Sequence, residues 1–360
     1  MAQTIIKELS SEKKLQTYID ETKARFAPIF WPTLSRTEKT DNLRWDVLIG
    51  ERKSGVAGNV TAFDVSAPLH ARDAFREKGG KIPSIRGKRV MKESDFRRYI
   101  SLRKQGKASS ELLDLVYDDI AFCSIAPHKR IDWMEAKLLS NAGKVSFTNA
   151  DNVGAVTQFD VDFNVPSANK HGVSVVWSDT ENSDPLKDLK DTIIKPLADK
   201  GITGGIIRLH PSKIYQLLES KKVLSKFGLL TKGQTDGIDF DISKLNAYMA
   251  ANNFPTIRAF NASIGIEIDG KAVYSNPWNI DNITWTPEGQ LFTVYDAGSV
   301  EDEVKVDGLI YTNYMGNLVK KWSEPDPARE FTAYEFNAFP ALEVADEVIT
   351  VNTNKVGSFE

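Results

Sequence analysis

Cysteine and histidine are scarce in this 360-residue sequence: one Cys, at position 123, and four His. A lone thiol excludes an internal disulfide and any zinc site built from several thiolates. His70, His128, His171 and His210 stand far apart, and none falls in a spaced metal motif. No stretch approaches the roughly 20 consecutive apolar residues of a membrane span, and Met1–Ser10 lacks the basic end and apolar run of a signal peptide. The chain is therefore expected to begin life in the cytosol, with no membrane partner. A repeat of fixed period is absent. So is a dominant charge: the formal net charge is -3, with 41% hydrophobic, 10% aromatic and 26% charged residues. That composition excludes intrinsic disorder and fibrous sequence. At roughly 150 residues per domain, the length predicts two or three structural units with an ample core.

The small net charge hides an uneven distribution. Between Arg72 and Lys107 thirteen basic residues meet four acidic ones, a segment of +9, which leaves -12 for the rest of a chain whose total is -3. Three readings fit such polarity: a face that grips nucleic acid and releases counterions, a surface that meets an acidic patch on another copy, or a solvated face with no partner.

Along the chain, residues 1–58 read as an arm. A helix from about Ser11 to Arg25 precedes the apolar, proline-broken Phe26–Pro32, which must pack against the body or a neighbour. Asn59–Val65 alternates as a strand, and a Gly/Pro-punctuated basic stretch returns to an extended run near Lys88–Met91. A connection of that length inside one domain is normally functional. Ser109 and Ser110 can cap a long helix with Leu112, Leu113, Val116, Tyr117, Ile120 and Cys123 on one stripe, bent or interrupted at Pro127 and stopped by Gly143. Gln158–Val165 alternates as a strand.

From Asp184 onward the pattern is mixed α/β. Asp184-Pro185 opens a helix, Gly204–Leu209 reads as a buried strand, and Pro211 starts a further helix. Another helix spans Asp241–Ala251. Ile264, Ile266 and Ile268 lead into Asp269-Gly270, a hairpin turn signal. Thr332–Ala338 and Glu347–Val351 are candidate strands.

Candidate chemistry is sparse. The glycines of Gly201–Gly205 precede their strand, whereas a phosphate loop needs them between strand and helix, so a tight turn is the better reading. Cys123 lies on an apolar stripe as a small hydrophobe. Asp160 with Asp162, and Glu301, Asp302 and Glu303, are placed where solvated charge explains them as well as ion binding does. Trp278 and Trp285 leave an aromatic sugar platform open beside core packing. No general base with an orienting partner is present. An apolar arm, a basic excursion and no catalytic kit point to assembly, with no enzyme activity and no cofactor.

The C-terminal segment narrows this. Asp326, Pro327, Ala328, Arg329, Glu330, Phe331 and Thr332 (DPAREFT), then Ala338 to Leu342, Asp346-Glu347 and alternating Val348, Thr350 and Val351, closely resemble the C-terminus of lambda-like phage major capsid proteins, the capsid protein E family. Weaker echoes are Gly205–Phe227, with His210 where the family has Asp, and Trp285–Leu291. Together they cover roughly Leu112 to the C-terminus.

The resemblance implies an α+β Hong Kong 97-type capsid fold: arm 1–58, extended loop 59–92, peripheral domain 93–184 with a spine helix about 109–142, axial domain 185–324, and C-terminal strands 325–360 returning to the peripheral domain. It implies self-assembly into hexamers and pentamers of an icosahedral shell enclosing double-stranded DNA, built in the host cytoplasm and located in the virion. Partners would be further copies, a separate scaffolding protein, a portal and a decoration protein. The expected subunit contacts are Arg72, Arg76, Lys78, Lys81, Arg86, Lys88 and Arg89 in the loop, and Phe26, Ile29, Phe30 and Trp31 in the arm. Asp326-Pro327 and Arg329 have a local reading too, a turn and a pairing with Glu330 or a nearby carboxylate. The alternatives are an encapsulin-like compartment shell and a soluble glycan-binding or hydrolytic protein.

Overall fold

The computed structural model describes residues 11–22, 28–50, 76–105, 109–147, 152, 159–227, 241–268, 271–357 and 359. In chain order come α1 (Glu12–Thr22), β1 (Ser35–Lys39), β2 (Arg44–Ile49), β3 (Arg76–Lys81), β4 (Ser84–Met91), α2 (Glu93–Lys104), α3 (Ser109–Ser140), β5 (Lys144–Ser146), β6 (Asp160–Asp162) and β7 (Lys170–Val173). A helical stretch follows, α4 (Pro185–Leu189), a π-turn and α5 (Lys195–Asp199), then β8 (Ile206–Leu209), α6 (Pro211–Glu219), α7 (Lys221–Lys226), α8 (Ile242–Ala251) and β9 (Thr256–Ala259). The chain finishes through β10 (Ile264–Ile268), β11 (Lys271–Ser275), β12 (Asn282–Thr286), β13 (Phe292–Asp296), α9 (Val300–Glu303), β14 (Ile310–Tyr314), β15 (Asn317–Pro325), β16 (Ala328–Leu342) and β17 (Ile349–Val356).

These elements form two units. The first draws on the described residues of Met1–Asp46, Gly79–Met134 and Phe292–Ala341; the second draws on those of Val47–Lys78, Glu135–Leu291 and Leu342–Glu360.

In the first unit a six-stranded sheet runs β1-β13-β16-β15-β14, with β4 also paired to β16. Strand β1 joins β13 in parallel, Ser35 opposite Phe292. Strand β16 is almost wholly buried, as its sequence of Phe, Tyr, Thr and Ala suits a strand covered on both faces. Helix α1 buries Leu15 and Ile19 with Tyr117, Ile120, Ile310 and Tyr314, and Tyr18 stacks on Tyr117 at 4.5 Å. The start of the arm is thus seated on its own unit.

Helix α3 runs through Pro127 as one element, so of the bend or interruption expected there the interruption does not occur. Proline has no N–H, so the carbonyl of Cys123 four residues earlier loses its helical donor. The buried Asn317 amide takes that place, donating to the Cys123 oxygen at 2.9 Å and to the Ser124 oxygen at 3.3 Å.

In the second unit a five-stranded sheet runs β7-β17-β12-β8-β9. Its core gathers Leu189, Ile193, Ile207, Leu209, Leu217, Leu245, Ile283 and Trp285. The sequence signals for its helices hold. Asp184 accepts the Lys187 N–H at 3.1 Å, and Asp241 accepts the Lys244 N–H at 2.9 Å. His210 caps α6, its Nδ1 accepting from the Ser212 N–H at 3.3 Å as an aspartate would. Residues of β12 also close the end of α3: the Thr284 hydroxyl donates to the Leu139 oxygen at 2.9 Å and the Asn282 amide to the Ser140 oxygen at 2.7 Å. Gly143, at φ +78, ends the helix, its N–H returning to the Leu138 oxygen at 2.8 Å.

Several boundaries differ from expectation. The long helix ends at Ser140, within two residues of the expected boundary, and of the strand expected over Gln158–Val165 the described residues form only Asp160–Asp162, since Asn164 takes a positive φ of 53 and turns the chain. Segment 185–324 does not stay together: β13 pairs with β1 and β16, which draws residues from Phe292 onward into the first unit. Segment 325–360 likewise divides, β16 to one unit and β17 to the other. The excursion is rooted earlier than residue 59, since β3 pairs with β2. The strand expected over Asn59–Val65, residues 23–25 of the first helix and the Asp269-Gly270 turn lie outside the described residues. Their neighbours Ile268 and Lys271 are paired across β10 and β11.

Two stability predictions follow. Asn317→Ala is expected to cost about 1–3 kcal/mol in chemical denaturation, by orphaning the Cys123 carbonyl. Adding Pro127→Ala should recover most of that loss by restoring an N–H; an undiminished loss would refute the pairing. His128 is buried, and desolvation depresses its pKa from 6.5 to about 4 while it meets the Tyr314 carbonyl at 3.1 Å. The unfolded chain therefore binds the extra proton first, so the His128 contribution to stability should fall as pH drops from about 6.5 to 4, by about 3 kcal/mol, against the opposite contribution of Asp132, whose pKa burial raises to about 6. The slope of unfolding free energy against pH should flatten in His128→Gln.

Candidate assembly surface

The basic return of the excursion is a pair of strands, and the pairing decides which charges are free. Strand β4 is zipped along β16 over eight consecutive partners, Met91 opposite Glu330 through Ser84 opposite Asn337. Alternation then sends Arg86 and Lys88 to one face and Arg89 to the other. Arg86 meets its cross-strand partner Glu335 at 2.7 Å. Lys88 lies over the Phe331 ring, 5.3 Å from its centroid. Arg89 covers the Phe122 ring at 3.8 Å and pairs with Asp118 at 2.8 Å. Arg76 at the start of β3 is held by Asp346, its Nε 2.9 Å from Oδ1, and donates to the Asn164 oxygen at 3.2 Å.

Of the seven expected loop contacts, four are thus answered within the chain. Lys78 is half-buried and Lys81 exposed, and neither makes an ion pair among the described residues. Arg72 lies outside them. In the arm, Phe30 faces inward, 1% exposed and edge-on to Phe292 at 6.1 Å, which corrects its reading as an interface residue. The chain is held there by Asp132 of α3, which accepts the Ile29 and Phe30 N–H groups at 2.8 and 3.4 Å. Ile29 is exposed and Trp31 half-buried, while Phe26 is outside the described residues.

The heptapeptide opens at the turn of the β15–β16 hairpin and runs into β16. Pro325 pairs with Ala328, leaving Asp326 and Pro327 as the two-residue connection, with a cis peptide between them and Pro327 at the third turn position. Arg329 is exposed opposite Glu324. Its expected pairing with Glu330 does not form: Glu330 points inward to Lys321 at 2.5 Å, both side chains 3% exposed or less. This buried ion pair carries no local sequence signal; Lys321 reads as an ordinary strand lysine. Beside it the Cys123 thiol is pushed up to about 12 by burial and by Asp119, which suits a core filler and not a nucleophile.

The remaining candidates resolve structurally. Trp278 and Trp285 are buried, their indole N–H groups donating to the Asn282 and Gly204 oxygens at 2.9 and 3.0 Å, so neither offers a platform to a sugar. Gly205, at φ +87, has no room for a Cβ, which would sit 2.4 Å from the Trp285 Nε1; the glycine cluster is a tight turn. Asp162 faces Lys144 at 3.4 Å, Glu301 pairs with Lys320, and Asp302 accepts the Ser299 N–H at 2.8 Å. Among the described residues no cluster of His, Cys, Asp or Glu is placed to hold a metal ion. The stem strand β2 went unread in sequence, although Arg44–Ile49 alternates exposed and buried, with Trp45, Val47 and Ile49 inside.

Residues 46–353 match the family described as Phage major capsid protein E. No curated protein matches the chain. Solved structures similar to it include one described as the capsid protein of a prophage of E. coli CFT073 (17% identity, 77% of this chain and 79% of that one, TM-score 0.47). Others are a phage-related protein of Bordetella bronchiseptica RB50 (13%, 89% and 90%, TM-score 0.46) and the mature capsid of bacteriophage PhiM1 (10%, 91% and 87%, TM-score 0.45).

The Lys321–Glu330 pair yields a test. Lys321→Met should lower stability by about 3–5 kcal/mol by stranding a buried carboxylate, and Lys321→Met with Glu330→Leu should regain most of it. Equal melting curves for the single and double variants would show that the pair is not buried as described.

Proposed function

Since this chain belongs to the phage major capsid protein E family, and so is a phage major capsid protein and a component of the virion, we propose that its copies close into hexamers and pentamers of an icosahedral shell around double-stranded DNA. The observation that carries this reading is the family match across most of the chain, which includes the heptapeptide at the turn between two inner strands of the first unit's sheet.

In this reading the first unit, with α3 as its spine, is the peripheral domain, and the second, built on the β12-centred sheet, is the axial one. The excursion between β2 and β3 is the extended loop that lies across a neighbour, and Lys78 and Lys81 are its available charges near the stem. Ile29 and Trp31 offer apolar area to another copy. Exposed ion pairs contribute roughly 0–1 kcal/mol each, enough to set register; buried apolar contact repeated around each ring supplies strength. Ring closure by a heterologous contact needs only a modest interface per subunit. The partners beyond further copies are a scaffolding protein, a portal and a decoration protein, with DNA held non-specifically.

Negative-stain microscopy of the expressed protein, alone and with a candidate scaffolding protein, should show rings or shells, and particles from infected cells should protect genomic DNA from nuclease. Rings in neither preparation would sink the proposal. A protein cargo in place of protected DNA would point instead to an encapsulin-like compartment.

A further inference from the structure

The heptapeptide hairpin does more than turn the chain. Together with the start of α2 it walls a concavity of about 530 Å³ in the first unit. Val90, Phe331, Pro327 and Ala328 give it apolar walls, and Lys92 and Arg329 stand at its rim. Neither cation makes an ion pair among the described residues, while the rim's one carboxylate, Glu93, is taken by Arg97 at 2.7 Å. The site therefore presents an apolar hollow with net positive charge.

The same unit carries the matching shape elsewhere. From Val300 to Asp307 the chain lies at the surface with three exposed valines, Val300 at 79%, Val304 at 67% and Val306 at 52%. Such apolar exposure within seven residues of one loop is unusual for a surface that meets only water. Interleaved with the valines are Glu303 and Asp307, exposed and without an ion pair among the described residues; Glu301 and Lys305 are already matched by Lys320 and Glu12. An acidic, valine-bearing segment and a cation-rimmed apolar hollow on one chain form a self-complementary pair of unlike surfaces, the heterologous arrangement that closes rings.

We propose that the Val300–Asp307 segment of one copy docks in the hollow between the DPAREFT hairpin and α2 of a second copy, Val304 and Val306 filling it while Glu303 and Asp307 meet Lys92 and Arg329. This deepens the capsid reading and rests on it.

Charge exchange tests it. Glu303→Lys with Asp307→Lys, and separately Lys92→Glu with Arg329→Glu, should each lower the yield of sedimenting particles about tenfold at low salt, and all four together in one chain should restore it to within about threefold of the unmodified chain. A four-residue variant no better than either pair would overturn the docking while the unmodified chain's shells keep the capsid reading intact; no shells from the unmodified chain would overturn both. A second measurement does not depend on yield. Val304→Cys with Ala328→Cys, in a chain whose own Cys123 is buried, should give a ladder of disulfide-linked chains on non-reducing gels of oxidised particles, absent from either single variant. Assembled particles that run as monomers, or that link equally through one cysteine alone, would refute the contact.

Discussion

The first unit depends on one constraint: a 15-residue strand, β16, buried on both faces, must have its backbone polar groups answered along its whole length. Strand β15 satisfies one edge from Ala328 to Glu335, β4 the other from Glu330 to Asn337, and β13 also pairs with it. Those pairings recruit the basic return of the excursion and the chain after Phe292, and β13 in turn gathers β1. The heptapeptide sits where the strand begins, so its residues set the register from which the rest of the sheet is built: a two-residue turn at Asp326-Pro327 fixes which face of the strand each of Glu330, Phe331 and Thr332 takes.

Burial of such a strand against a long helix leaves polar groups that need partners, and the solutions are specific side chains contributed from distant sequence. Asn317 replaces the donor that Pro127 lacks, Lys321 answers Glu330, and Asp132 collects the amides of Ile29 and Phe30. Each is a buried polar residue whose partner would be stranded without it, so each makes alternative registers costly. The effect is that sheet, helix and arm entry are locked to one another within the unit.

Much of this was legible in the sequence wherever the signal is local. Asp184, Asp241 and Pro211 mark helix starts, Gly143 ends α3, and Gly204–Leu209 reads as a buried strand, observed over Ile206–Leu209, because caps and periodicity act within a few residues. What failed was non-local. Helix α3, a single element through Pro127, was expected to be bent or interrupted there because nothing near it announces Asn317, 190 positions later. The fate of Arg86 and Arg89 was hidden for the same reason: a run of cations looks free until β16 is seen to supply Glu335 and α3 to supply Asp118 and Phe122. The family motif was visible as a string and its turn at Asp326-Pro327 was read from it, while the inward Glu330 follows only from strand pairing.

That internal consumption of charge changes what the uneven distribution means. Between Arg72 and Lys107 the sequence carries +9, yet Arg76, Arg86, Arg89 and Arg97 are matched by carboxylates of their own chain. The cations left without an ion pair among the described residues, Lys78, Lys81 and Lys92 among them, are therefore fewer than composition suggests. Sparse charge cannot hold subunits by itself at physiological ionic strength, where exposed charges are screened over about 8 Å. It can orient them, and under the proposed assembly the holding falls to exposed apolar surface, such as Ile29, Val90 and the valines after Ser299. An assembly built this way tolerates reversible association while subunits find their register, and gains permanence only when every contact around the ring is closed.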